Sequence, residues 1–277
     1  MPIRWYPGHM ATARKEAAET MGKVDLVIEV LDARVPRSSC SPVFETLRRQ
    51  GKRPALKLLN KADAADPEQT KLWLAHYIAQ PGVTAIAMTA KSPREVRRIP
   101  KACQALVPGR GTASKTLRMM ILGIPNVGKS TVMNALLRHH VAHVGDEPGI
   151  TKTQMLHQLG PGMNLIDTPG MLWPDVPQAV AIKLAATHSI GRSAYEDEDV
   201  ATELAGYLLL HYRALLEARY GELSGPVDGP GLIDLIARRR NLQKKGGEPD
   251  RARAAEALLN DFRSGALGRI TLERPEP

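Results

Sequence analysis

Short apolar runs alternate with amphipathic stretches through the first two thirds of the 277-residue chain. Residues 24–31 (VDLVIEVL) read as a buried strand, followed by a polar loop and a helix-like stretch through Arg49. A second apolar run, Ala55 to Leu59, ends directly on Asn60. A helical segment from about Glu68 to Ile78 leads to a third strand at Val83 to Met88. Another helix-like stretch ends near Val107, and PGRGTASK has the composition of a connector. Leu117 to Leu122 is a fourth strand that runs into GIPNVGKST and a helix to Arg138; strands near 153–159 and 163–166 close the set. Strands alternating with helices predict a mostly parallel α/β sheet covered on both faces.

After Pro177 the period changes. Val200, Leu204, Tyr207, Leu208, His211 and Leu215 recur at helical spacing. Two more helices are expected at 231–242 and 251–262, the second stopped by Gly265. No strand pattern returns until the last few residues. The pattern predicts an α/β domain over 1–175, with residues 1–23 as an N-terminal arm, and an all-helical domain over 176–277.

The strand ends carry the chemistry. Gly123-Ile124-Pro125-Asn126-Val127-Gly128-Lys129-Ser130 follows an apolar strand and opens a helix, as a P-loop does. Its glycines let successive N–H groups face phosphates, Lys129 can reach the β- and γ-phosphates, and the Ser130 hydroxyl can ligate Mg²⁺. With Thr131, these residues are the expected phosphate cradle. Asp167-Thr-Pro-Gly170 ends the strand MNLID, where a carboxylate can hold Mg²⁺ through water and the Gly170 N–H can meet the γ-phosphate. Between them, Pro148-Gly-Ile-Thr151 offers a threonine that either closes over Mg²⁺ in the triphosphate state or is a solvated loop hydroxyl.

Asn60-Lys61-Ala62-Asp63 ends another strand. The Asp63 carboxylate can accept from guanine N1–H and the 2-amino group together, which adenine does not offer. Asn60 can contact N7 and tie its loop to the P-loop, and the Lys61 stem can lie over the base. Thr89-Ala90-Lys91 ends the following strand and directs the Ala90 N–H toward guanine O6. Five motifs at five strand ends specify GTP over ATP. Their order is unusual: both guanine motifs precede the P-loop, the switch threonine and D-x-x-G, so the expected fold is a circularly permuted P-loop GTPase with an all-helical C-terminal domain. Strand-end loops still converge if the original termini are joined and the chain reopened elsewhere. In this order the D-x-x-G loop runs through Met171, Leu172 and Trp173 straight into the helical part.

Charge adds a partner. Net charge is +9 with pI near 9.7, which favours a polyanion. Residues 1–175 hold 24 Lys/Arg against 14 Asp/Glu, and 176–277 hold 14 against 15. In the near-neutral C-terminal part, Glu196 to Asp199 is an acidic run, and Arg238, Arg239, Arg240, Lys244 and Lys245 form a basic one. Aromatics are 4%, too few for a single-strand stacking platform. Only Cys40 and Cys103 are present, too few for a disulfide scaffold or a four-cysteine zinc site. No apolar run is long enough to span a membrane, and residues 1–20 lack a signal-peptide stretch. A reducing cytoplasm is therefore expected.

The sequence resembles the ribosome biogenesis GTPase A family (the YlqF/RbgA type). The resemblance rests on I-R-W-Y-P-G-H-M at 3–10, D-A-R-V-P at 32–36, G-I-P-N-V-G-K-S-T, E-P-G-I-T, D-T-P-G-M-L-W-P and F-R-S-G-A-L-G-R-I-T-L-E at 262–273. It implies assembly of the large ribosomal subunit, rRNA contact by the helical domain, and hydrolysis stimulated by the ribosomal particle. It also implies catalytic roles. Met171 stands where many GTPases carry a water-orienting glutamine, and a thioether cannot polarise water. His9 is implied as the substitute; the alternatives are RNA contact or packing, on an arm expected to be mobile in the free protein. Asn126 matches an asparagine that ligates K⁺ in potassium-activated GTPases, or else is a loop-stabilising amide. The basic run at 238–245 reads either as an rRNA phosphate contact or as a solvated face. A small-subunit factor would carry an N-terminal barrel or cysteine module, for which residues 1–23 and two cysteines leave no room. A GTP-regulated RNA-binding module without turnover is the remaining competitor.

Overall fold

The computed structural model of the chain describes residues 3, 8–137 and 155–276, with His9 described in its backbone only. In chain order the elements are α1 (Gly8–Met21), β1 (Leu26–Asp32), α2 (Pro36–Ser39), α3 (Pro42–Gln50), β2 (Ala55–Asn60), α4 (Pro67–Ile78), β3 (Val83–Ala87), α5 (Pro93–Val96), α6 (Ile99–Leu106) and β4 (Leu117–Leu122). They continue with α7 (Lys129–Leu137), β5 (Met155–Gly160), β6 (Met163–Asp167), α8 (Gln178–Ala186), α9 (Asp197–His211), α10 (Arg213–Tyr220), α11 (Gly229–Arg239) and α12 (Arg251–Ser264).

β1 and β2 are buried at every position, as strands covered on both faces must be. They nucleate a six-stranded sheet of order β3-β2-β1-β4-β6-β5. All pairings are parallel except β5 with β6. The registers Asp32↔Asn60, Leu59↔Ala87 and Ile121↔Asp167 align the C-terminal ends of β1, β2, β3, β4 and β6 along one edge. Loops leaving that edge are where an open α/β sheet binds its ligand. The P-loop strand β4 sits centrally between β1 and β6 although three strands precede it, which is the permuted fold expected from the motif order.

The N-terminal arm differs from expectation. Its residues 8–21 are helical, and Met10, Ala13, Ala17 and Met21 are all buried. That spacing puts them on one stripe, docked on the sheet core. The Ile3 N–H also donates to Gln178 Oε1 at 2.9 Å. The short alanines that allow close packing sit among charged neighbours, which hides the buried stripe in the sequence.

Beyond Gln178 the described elements are helices. α9 is central there and lies against α8, α10, α11 and α12. α12 ends at Gly265, whose φ of +80° is the left-handed cap that glycine adopts without penalty. The last residues form no strand, contrary to the pattern. They run instead as an extended tail across the base of the sheet loops, and one apolar cluster continues from Ile3 through Leu272.

Glu273 fixes that tail. Its carboxylate is 5% exposed. It accepts the N–H groups of Arg37 at 2.7 Å and Ser38 at 3.0 Å, the Ser38 hydroxyl, and Lys183 at 3.2 Å. Its backbone carbonyl accepts from the Trp73 indole at 3.2 Å. Glu273→Ala strands several buried donors, each costing about 1–3 kcal/mol. Urea unfolding is expected to show a loss of about 2–4 kcal/mol with a similar m-value.

Candidate nucleotide site

The phosphate loop is shaped by two glycines. A Cβ on Gly123 would lie 2.9 Å from both Val127 Cγ2 and the Val30 carbonyl, and one on Gly128, whose φ is +94°, would lie 2.2 Å from Asn60 Nδ2. α7 then opens at Lys129, whose Nζ is 2.6 Å from Asp167 Oδ1 with both side chains buried. The P-loop lysine and the D-x-x-G carboxylate, read as phosphate and magnesium ligands, thus neutralise each other across the strand ends. Thr168 Oγ1 donates to the Ile121 carbonyl at 2.7 Å, and the Gly170 backbone lies against Pro125. Ser130 and Thr131 are half-buried at the start of α7. A hydroxyl and a carboxylate beside a phosphate cradle form the oxygen donor set that Mg²⁺ takes. Thr151 lies outside the described residues.

On the base side, Asn60 works through both ends of its amide. Nδ2 donates to the Val127 carbonyl at 2.8 Å, and Oδ1 accepts the Ala90 N–H at 2.9 Å. The tie to the P-loop is the one expected. The Ala90 N–H, expected at guanine O6, is taken here by Asn60, because the two loops meet edge to edge. Thr89 N–H donates to Glu95 Oε2 at 2.6 Å. Asp63 is partly exposed, 3.7 Å from the Nζ of exposed Lys91, and so presents its carboxylate outward.

Lys61 shows what the sequence did not. Its Nζ donates to the Asn126 carbonyl at 2.7 Å and pairs with Asp32 Oδ2 at 2.9 Å. Asp32 is fully buried and also receives Arg34 through Nε at 2.9 Å and Nη2 at 2.7 Å. Burial pushes the Asp32 carboxyl up, but Arg34 and Lys61 outweigh it and hold the group well below the carboxylate range. Arg34 in turn donates to the Arg263 carbonyl at 3.3 Å and stacks over Phe262. The C-terminal tail completes the guanine loop: Arg269 donates to the Ala65 and Ala62 carbonyls at 3.0 and 2.9 Å, Ile270 N–H to Ala64 at 3.0 Å, and Thr271 Oγ1 accepts the Asp66 N–H at 3.1 Å. The D-A-R-V-P and G-R-I-T segments carried these residues in plain sight, but only the fold joins positions 200 residues apart.

Asn126 Nδ2 donates to the His188 carbonyl at 2.8 Å, so its amide nitrogen ties the P-loop to the turn after α8. The neighbour of His9, Met10, accepts the Leu172 N–H on its sulfur at 3.5 Å, which seats α1 against the segment leaving D-x-x-G. Arg238, Arg239, Arg240, Lys244 and Lys245 of the basic run are all exposed. Two of them also have partners within the chain: Arg239 donates to the Tyr220 and Glu222 carbonyls at the end of α10, and Arg240 pairs with the Asp261 carboxylate of α12.

Residues 118–209 match the model of a family described as 50S ribosome-binding GTPase. The match begins one residue into β4 and leaves out the guanine motifs, which come earlier here. Over 284 aligned residues the chain is 39% identical to ribosome biogenesis GTPase A of Bacillus cereus, covering 100% of this chain and 95% of that one. It is 32% identical to mitochondrial ribosome-associated GTPase 1 of Bos taurus, covering 98% and 88%. Among solved structures, the GDP-bound form of Thermotoga maritima YlqF aligns with a TM-score of 0.68 at 27% identity, covering 95% of this chain and 100% of that one.

Arg269→Ala removes two donations to the backbone of the guanine loop. Hydrogen bonds from a charged donor are worth about 1.5–3 kcal/mol, so GDP and GTP affinity are both expected to fall at least about tenfold. Fluorescent-nucleotide titration reads this directly. Unchanged affinity for both nucleotides would remove Arg269 from the site.

Proposed function

The chain belongs to the ribosome biogenesis GTPase A family, and from that premise we propose that this GTP hydrolase is an assembly factor of the large ribosomal subunit. In this reading it binds the subunit precursor and its rRNA in the GTP state and is released on hydrolysis. Residues 1–175 act as the GTPase domain and 176–277 as the rRNA-contacting helical domain, in the cytoplasm. The observation that carries the reading is the continuity of the D-x-x-G loop with the helical part. Met171, Leu172 and Trp173 are buried as the chain passes from Gly170 toward α8, and Leu172 is held by Met10 of α1. A change at Gly170 therefore requires repacking of α1 and α8, the elements a ribosomal partner would sense.

The chemistry follows from the same residues. Asp63 selects guanine, Asn60 and Lys61 brace its loop, and Thr89, Ala90 and Lys91 close the base pocket. Bound GTP draws Lys129 away from Asp167 to the phosphates and frees the carboxylate. Ser130, Thr151 and Asp167 would hold Mg²⁺, which would supply positive charge to the phosphates. The backbone of Pro125, Asn126, Val127 and Gly128, with Thr131 and Gly170, surrounds the phosphates. Asn126 would ligate K⁺ through its amide oxygen, its nitrogen being bonded to the His188 carbonyl, and the ion would add positive charge for the transition state. His9 orients the attacking water in place of the absent glutamine; what supports it is that α1 packs, through Met10, against the residue two beyond Gly170.

His9→Ala is expected to leave GTP affinity and particle binding nearly intact while removing most particle-stimulated hydrolysis, since the loss lies in the transition state. Multiple-turnover assays with large-subunit precursors, beside nucleotide titration, measure both. The same assay in K⁺ and Na⁺ at matched ionic strength should favour K⁺. Full stimulated activity in His9→Ala, or equal rates in the two salts, would dismiss the respective role. Cosedimentation of the GTP form with small-subunit particles alone would overturn the large-subunit reading.

A further inference from the structure

The helices after the second guanine motif carry a face that no nucleotide chemistry uses. From Pro93 to Leu106, α5 and α6 run nearly continuously, since the linking residues Arg97 and Arg98 keep right-handed helical dihedrals. Val96, Ile99 and Cys103 are buried against the core. The opposite stripe holds Arg94, Arg97, Arg98 and Lys101, at i, i+3, i+4 and i+7, all exposed. The side chain of each makes no hydrogen bond or ion pair with any described residue. At about 1.5 Å per residue the four span about 10 Å.

Among the described residues, the elements these helices pack on offer no acid to neutralise them. Glu95 is the one carboxylate between residues 92 and 106, and it is turned inward onto the Thr89 N–H. α6 packs on β2 and α5 on α7, and neither partner element contains an acid. The C-terminal basic run is the opposite case, with Arg239 and Arg240 spent on internal contacts.

We propose that the α5–α6 face is a second RNA-contact surface, seated on the GTPase half, which takes the sugar–phosphate backbone of structured RNA; this rests on the reading of the chain as an rRNA-binding assembly factor. A row of cations with no large apolar or aromatic side chain among them suits phosphate contact. A protein partner would call for an apolar core in the patch, and single-strand binding would call for stacking rings. Because Glu95 links the stripe to Thr89, RNA seated there touches the segment that closes the base pocket.

The test uses the full chain and a fluorescein-labelled, mixed-sequence RNA hairpin with a stem of about 16–20 base pairs, titrated by anisotropy over a KCl series. In Arg94→Ala/Arg97→Ala/Arg98→Ala/Lys101→Ala, the slope of log K against log [KCl] should become shallower by about 2–4. GDP affinity and basal hydrolysis should stay at the parental level. Arg97→Glu/Arg98→Glu, with two substitutions and the same net charge change, should weaken binding in the same direction. A parental slope in both variants, with the parent binding RNA, overturns this surface alone. Loss of particle cosedimentation with a parental RNA slope also overturns it, in favour of an acidic protein partner. A parent with no salt-dependent RNA binding contradicts the rRNA reading itself.

Discussion

A single buried carboxylate joins the three parts of this molecule. Asp32, at the end of β1, receives Lys61 on one side and Arg34 on the other. Lys61 continues to the P-loop carbonyl of Asn126, and Arg34 continues to the end of α12. A charge this deep is tolerated because two cations and the Arg34 N–H surround it; removing it would leave them unpaired at a cost of about 3–5 kcal/mol. Burial lowers the Lys61 pKa, and the Asp32 charge beside it opposes that effect. Guanine loop, phosphate loop and C-terminal helix are thus set against one another by one residue.

The permuted chain order gives this junction its use. In a fold that ends on the D-x-x-G strand, both the entry to the P-loop and the exit from D-x-x-G have to be anchored by elements from elsewhere. α1 packs on the exit through Met10. The tail returns across the guanine loop, with Arg269, Ile270 and Thr271 taking the backbone groups of residues 62–66. The nucleotide-site loops and the C-terminal half therefore meet at three places. One is covalent, through Met171 to Trp173, and two are hydrogen-bonded, through the guanine loop and through Asn126 to the His188 carbonyl. The Lys129–Asp167 pair lies at the strand ends beside them.

What the sequence made legible was local. The strands at Leu26, Ala55, Val83 and Leu117 and the helices at Pro67 and Arg251 follow from apolar period and capping residues. The five motifs follow from residue types that phosphate and guanine chemistry require at fixed spacing, and the family from the segments around them. What was not legible depended on distance. Asp32 and Arg269 are ordinary charged residues until the fold brings them to Lys61 and Ala62. α1 lacked a strong amphipathic signal because its buried stripe is half alanine. In the basic run, Arg239 and Arg240 also take partners on α10 and α12, which the sequence of the run does not disclose.

The central claim is that Asp32 couples the guanine loop to the tail. Site-resolved amide exchange at Ile270 and Leu272, whose N–H groups donate to Ala64 and Arg34, measures that coupling with and without GDP. GDP should slow both amides together with that of Ala90. In Asp32→Asn the two tail amides should exchange faster and no longer respond to GDP. If Asp32→Asn keeps their protection and their response to GDP unchanged, the tail is seated independently of the nucleotide site and the account is wrong.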